Sequence, residues 1–331
     1  MLRSVREFMI ELIRGDRQME KIRLGSSSLE ASRIVLGCMR IADMEDKALA
    51  THVNRAVELG INLFDHADIY GDGECERKFS KVLASEVNRE DILIQSKCGI
   101  RHTGSSTTKE NEYYDLSKSH ILGSVDGILE RLGTDYLDIL MLHRPDALME
   151  PREIAEAFDY LHESGKVRHF GLSNFHAAQF DFVQKHTDHK LITNQVQFGA
   201  GAPHMINSRM QANTPFESAA DRDGGLLDHA RLHDITLQAW SPFHYGYFDG
   251  IIMDDPKYKA LNDVLEDIGG AHSLTKNAVA VAWILRHPAD MQTIVGTTNT
   301  SRLEDIAKAA DVKLSREEWY RIYKAAGHIL P

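Results

Sequence analysis

The chain has 331 residues, 43% hydrophobic and 26% charged, and its 38 Lys and Arg against 49 Asp and Glu give a formal net charge of −11. This is a globular composition, not a disordered one, and its acidic balance excludes a dedicated binder of nucleic acid or anionic membrane, which needs a cationic face. The length fits two ordinary domains, or one α/β barrel of about 250 residues with insertions.

Residues 1–18 are read as an N-terminal extension of unknown purpose. Leu2, Val5, Met9, Leu12 and Ile13 fall at helical spacing. Arg3, Arg6, Glu7, Glu11 and Arg14 leave no apolar stretch for a signal peptide, and Glu7 and Glu11 are foreign to a transit peptide. Met19 stands where an alternative start would fall. The next signal is a hairpin: Lys21 to Leu24 and Leu29 to Ser32 flank Gly25-Ser26-Ser27-Ser28.

From there short apolar runs alternate with longer stretches of helical period. The runs are Ile34–Leu36, Ile61–Phe64, Ile92–Ile94, Leu137–Leu142, Val167–Leu172, Leu191–Val196, Ile235–Ala239 and Thr293–Val295, short enough for buried parallel strands. Helices are predicted over Asp46–Leu59, Ser117–Leu132, Pro151–Ser164 and Thr275–His287, with Gly60, Gly133, Gly165 and Pro288 as stops. Eight such alternations predict a (β/α)8 TIM barrel as one unit over 19–331, with the N-terminal hairpin closing its bottom. An open doubly wound sheet fits the same strand count. Gly71-Asp72-Gly73-Glu74-Cys75-Glu76 is read as loop, since it lacks the third glycine of a dinucleotide fingerprint. The long polar stretches 99–116, 199–221 and 244–256 are loops of the length that carries function.

Cys38, Cys75 and Cys98 are odd in number and far apart, which fits a reducing, cytoplasmic protein without a disulfide framework. No uncharged apolar window of membrane-spanning length occurs. His229 and His233 lie four apart and His186 and His189 three apart, but without an HExxH pattern or a carboxylate constellation no metal is expected.

In a parallel barrel the active site lies where the strands end. The second run stops at Asp65, the third at Lys97 and the fourth at His143, and Tyr70 follows five residues after Asp65. Charged side chains are rarely buried unpaired, so these ends point to chemistry more than packing.

These residues lie in segments that resemble the aldo-keto reductase family. The segments are Asn62–Gly71, Ser96-Lys97, Asp135–His143, Gly165–Phe175, Asn194-Gln195, Trp240-Ser241-Pro242 and Arg302–Asp305, in the family's order. The resemblance implies a catalytic tetrad of Asp65, Tyr70, Lys97 and His143 in an NADPH-dependent reductase of small aldehydes and ketones. Tyr70 would give the proton, Lys97 would lower its pKa, Asp65 would hold Lys97, and His143 would orient the carbonyl. It further implies that Ser173, Asn174 and Gln195 bind the nicotinamide amide and that Trp240 stacks on the ring. Ser241, Pro242 and Phe243 would follow the pyrophosphate, with Met39 and Arg40 at the mouth. Gly296, Thr297 and Thr298 would hold a phosphate, Arg302 the 2′-phosphate and Asp305 the adenine end. Gly296 and Ile306 depart from the lysine and asparagine common in the family. Two other readings stay open: a cofactor-binding regulatory subunit, as the potassium-channel β-subunits are, and a Schiff-base aldolase working through Lys97. Oligomeric state is unknown.

Overall fold

The computed structural model describes residues 19–103 and 111–331, so the predicted 1–18 extension lies outside the described residues. Lys21–Arg23 (β1) pairs antiparallel with Glu30–Ser32 (β2), as the turn signal requires. Then follow β3 (Ile34–Gly37), α1 (Asp46–Glu58), β4 (Leu63–Asp65), α2 (Glu74–Ser85), β5 (Leu93–Cys98), a small hairpin of β6 (Ile100–His102) and β7 (Glu112–Tyr114), α3 (Lys118–Leu132), β8 (Leu137–Leu142) and α4 (Pro151–Glu163). Next come β9 (Val167–Ser173), α5 (Ala177–Gln184), β10 (Leu191–Gln197), α6 (His204–Met210), α7 (Leu226–Leu232) and β11 (Thr236–Trp240). A second hairpin of β12 (His244–Tyr245) and β13 (Gly250–Ile251), then α8 (Lys259–His272), α9 (Lys276–Leu285), β14 (Gln292–Val295), α10 (Thr300–Ala307) and α11 (Arg316–Ala325) complete the order.

β3, β4, β5, β8, β9, β10, β11 and β14 close in that order into an eight-stranded parallel barrel, and the open-sheet alternative falls. The helices begin where caps are available: Ser117 accepts from the His120 amide and Thr275 from the Ala278 amide. Gly133 ends α3 at φ 65°, its amide reaching Glu130 O and Leu129 O. Two predictions need correction. Glu74–Glu76 are not loop but the first turn of α2, with Gly73 at φ 79° as its cap. The long polar stretches contain the β6–β7 hairpin, α6 and the β12–β13 hairpin; elements this short show no periodicity to read.

Two apolar layers result. The larger lies between strands and helices; the smaller fills the barrel with Leu24, Val35, Leu63, Ile139, Met141, Ile192 and Ile294. Leu24, at the hairpin turn, is fully buried in that inner layer, so the hairpin does close the barrel bottom. Gly25 donates its amide to Thr236 Oγ1 at 2.8 Å and sits at φ 52°, where a Cβ would lie 2.4 Å from the Ile192 carbonyl oxygen. Gly25→Ala is therefore expected to destabilise the protein by about 3 kcal/mol through combined clash and left-handed strain, read as a lower denaturant midpoint; an unchanged midpoint would show that the plug bears no weight. Among the described residues no helix is long and apolar enough to cross a membrane.

Candidate active site

Side chains two apart on a strand share a face. On β4 the inward face carries Leu63 and then Asp65; on β5 it carries Leu93, Gln95 and Lys97; on β8 Ile139 and Met141 lead to His143 just past the strand. The same period that puts the lower members in the inner core lifts the upper ones to the carboxyl mouth. Tyr70 arrives from the β4–α2 turn, its amide bonded to Ala67 O at 3.1 Å.

Lys97 is the centre of this group. Its ammonium lies 2.7 Å from Asp65 Oδ1, with side-chain exposures of 0% and 4%, and donates to His66 O at 2.8 Å and to Tyr70 Oη at 3.1 Å. Three acceptors match three protons. Burial pulls the Lys97 pKa down, but Asp65 and Tyr70 outweigh it and the net direction is up. A charged ammonium so committed has no lone pair for the imine chemistry of the aldolase reading. Tyr70 departs from expectation: burial, helped by the charge of Asp65, raises its pKa against the lowering by Lys97, so the phenol is held above its ordinary value. Its ring meets His143 edge-on, centroids 6.0 Å apart. His143 is pushed well below the usual imidazole range by burial, then by Lys97 and Arg144, so its ring is neutral at pH 7.

The sequence reading missed what lies beneath. Asp65 Oδ1 also accepts from Gln95 Nε2 at 2.6 Å and Gln195 Nε2 at 2.9 Å. Gln95 and Gln238 exchange amide hydrogen bonds at 3.0 Å, Gln195 donates to Gln238 at 3.2 Å, Gln238 to Gln292 at 2.8 Å, and Gln292 to Ser32 O at 2.7 Å. A buried amide layer from β5, β10, β11 and β14 thus separates the apolar plug from the charged pair. Its one available signal was position: Gln95 lies two before Lys97 and Gln238 two before Trp240.

At the rim, Trp240 Nε1 donates to Asn174 Oδ1 at 3.0 Å, and Asn174 Nδ2 donates to His143 O at 3.2 Å and Ser173 Oγ at 2.9 Å. Ser173 donates in turn to Gln195 O at 3.0 Å. Ser173, Asn174, Gln195 and Trp240 thus lie together at the rim, while Gln195 directs its amide protons inward. Phe248 stacks on Trp240 at 5.5 Å, and Arg144 lies over Trp240 and Tyr247. Met39 and Arg40 are exposed just after β3, and Ser241–Phe243 lead from β11 into the β12–β13 hairpin.

Residues 33–326 match the aldo/keto reductase family. The chain belongs to that family. This aldo/keto reductase is 36% identical to "Uncharacterized oxidoreductase YcsN" of Bacillus subtilis (strain 168), over 95% of this chain and 100% of that one. It is 35% identical to a 6-dehydroglucose reductase of Agrobacterium fabrum, over 93% and 98% respectively. In fold it is similar to the thermostable aldo-keto reductase Tm1743 in complex with the inhibitor epalrestat, at TM-score 0.73 and 23% identity, over 93% of this chain and 100% of that one. It is therefore an oxidoreductase, of a family that uses nicotinamide cofactors on small-molecule substrates.

The loop after β14 is the segment to which the resemblance assigned a dinucleotide's phosphate. A Cβ built on Gly296 meets nothing nearer than Gly37 O at 3.8 Å, so the loop's entrance is open. Asn299 caps α10 by accepting from the Arg302 amide at 2.9 Å. The loop is pinned by a residue the sequence reading passed over: His52 of α1, fully buried, bonds Thr297 O through Nε2 at 2.9 Å and Thr300 Oγ1 through Nδ1 at 3.0 Å. A carbonyl only accepts, so Nε2 carries the proton, and burial lowers the His52 pKa to keep the ring neutral. Arg302 is exposed on the first turn of α10, whereas Asp305 pairs with Lys308 at 2.8 Å and Ile306 is fully buried in the core.

Proposed function

We propose that residues 19–331 act as one unit, an NADPH-dependent reductase of small aldehydes and ketones with Tyr70 as proton donor. The observation that carries this reading is the buried ammonium of Lys97 held between Asp65 and the Tyr70 hydroxyl at the barrel mouth. When bound, the nicotinamide supplies the hydride. Tyr70 supplies the proton: its raised pKa keeps the phenol protonated at neutral pH, and Lys97 stabilises the negative charge that grows on Oη as the proton leaves. Asp65 keeps that ammonium charged and in place. His143, neutral, offers an N–H to the carbonyl oxygen without competing for the proton. Ser173, Asn174 and Gln195 are the groups assigned to the nicotinamide amide, with Trp240 against the ring; Gly296, Thr297 and Thr298 take a phosphate.

The preference for NADPH rests on Arg302, whose guanidinium fork suits a 2′-phosphate. Asp305, paired with Lys308, and the buried Ile306 leave Arg302 the main contributor there. Free thiols at Cys38, Cys75 and Cys98 support a reducing cytoplasm.

The test is a parallel titration of Trp240 fluorescence with NADPH and NADH, followed by an assay on aryl aldehydes and sugar aldehydes, the latter prompted by the 6-dehydroglucose reductase relatives. Quenching by NADPH and aldehyde-dependent oxidation of NADPH are expected. Arg302→Ala should weaken NADPH binding about 10- to 100-fold, the worth of a charged hydrogen-bonded contact, and leave NADH unchanged. Equal loss for both nucleotides would overturn the role given to Arg302, and cofactor that binds without turnover on any aldehyde would favour the regulatory-subunit reading.

A further inference from the structure

The i, i+4 histidine pair His229 and His233, at the end of α7, shows no metal-binding pattern in the sequence; the fold brings a distant carboxylate to it. Asp181, from α5, lies 2.7 Å from His229 Nε2, and one ligand atom each from Asp181, His229 and His233 fall within 4.8 Å of one another. The His233 amide bonds to His229 O at 3.1 Å, so the helical turn continues through His233 and keeps both imidazoles on one face. Their rings lie 4.6 Å apart. His229 is 11% exposed and packs edge-on against Phe180, centroids 5.7 Å apart, whereas Asp181 is 59% exposed. One arm is thus rigid, and the exposed arms are free to adjust.

We propose that Asp181, His229 and His233 form a binding site for a borderline divalent transition metal, zinc or nickel, that staples α5 to α7. Two imidazoles and a carboxylate suit zinc or nickel and not magnesium, which takes oxygen ligands. Tetrahedral zinc with bonds near 2.1 Å places its ligand atoms roughly 3.4 Å apart. The Asp181–His229 contact at 2.7 Å would open by about 0.7 Å to admit the ion, and no pair need close by more than about 1.4 Å. Three protein ligands leave a fourth position for water. His229 Nδ1 is buried without a hydrogen-bond partner among the described residues, so the acceptor behind the ring that usually strengthens a ligating histidine is missing. The affinity expected is therefore micromolar rather than nanomolar.

The experiment is calorimetric titration of the metal-stripped full chain with ZnCl2, NiCl2 and MgCl2 at pH 7.5, with thermal melts alongside. Zinc and nickel should bind one per chain with micromolar Kd and raise the melting midpoint by a few degrees, and magnesium should do neither. His233→Ala, at an exposed position, should weaken zinc at least tenfold, and Asp181→Asn should weaken it too. His189→Ala, which breaks the separate His189–Asp159 pair, should leave this binding unchanged. No stoichiometric binding below 100 µM, on the order of a hundred times the expected Kd, or His233→Ala titrating like the parent, would overturn the proposal.

Discussion

Tyr70→Phe is expected to lower kcat for carbonyl reduction by about 10²- to 10⁴-fold, the range for loss of a positioned general acid, with little change in fold. The substitution removes one hydroxyl whose contact to Lys97 is 3.1 Å; the ammonium keeps Asp65 and His66 O as partners. The pH profile makes the assignment sharper. A proton donor works only while protonated, and burial holds the Tyr70 pKa above its ordinary value near 10. Reduction by the parent should accordingly be flat from about pH 6 to 9 and decline only beyond about 10. The reverse oxidation needs the phenolate and should rise with pH over the same span. His143 does not add a limb within this range, since its pKa lies well below the imidazole norm and its ring stays neutral. A reduction rate that falls through pH 7 to 8 would mean that Lys97 outweighs burial. A Tyr70→Phe enzyme with near-parent kcat would remove Tyr70 from the reaction altogether.

That profile bears on what could be read from sequence. The strand ends were legible because a parallel strand's apolar run stops where its residues reach the mouth, so Asp65, Lys97 and His143 announce themselves. Tyr70 needed the resemblance, as nothing in a turn's composition says that its hydroxyl reaches a lysine. The sign of the Tyr70 shift was not legible at all: a neighbouring cation can be named from sequence, but the depth of burial that opposes it is a property of the closed barrel. The amide layer was hidden for a related reason. Gln95, Gln195, Gln238 and Gln292 are far apart in the chain, and only the register, with Gln95 opposite Asp65, Gln195 opposite Gln238 and Gln238 opposite Gln292, brings them together. His52 looked like one more residue of an amphipathic helix, yet α1 packs beside α10 and turns that imidazole into the pin of the loop after β14. The carboxylate beside His229 was concealed in the same way, 48 residues away on α5.

Lys97→Met separates chemistry from architecture. It takes away the only cation paired with Asp65 among the described residues, and breaking a buried pair by removing one partner costs about 3–5 kcal/mol. Activity should fall at least 10²-fold, because nothing then stabilises charge on Tyr70 Oη, while the buried phenol rises still further. The stability loss should exceed that of Tyr70→Phe, which leaves no charge unpaired. Adding Asp65→Leu to Lys97→Met should recover part of the stability, since the orphaned carboxylate goes as well. Recovery should stay incomplete: Gln95 and Gln195 each lose their acceptor on Asp65 Oδ1, Gln95 keeping Gln238 Oε1 and Gln195 keeping Gln238 Oε1 and the weak acceptor Met141 Sδ at 3.9 Å, at about 1–3 kcal/mol for each buried donor left short. The double variant should thus melt above the single one and remain inactive. If it also regained activity, the charged pair would be scaffolding and the proton would have to come from elsewhere in the mouth. If the single variant melted like the parent, the pair would contribute nothing to the fold, and the amide layer beneath Asp65 would be holding that carboxylate without help from Lys97.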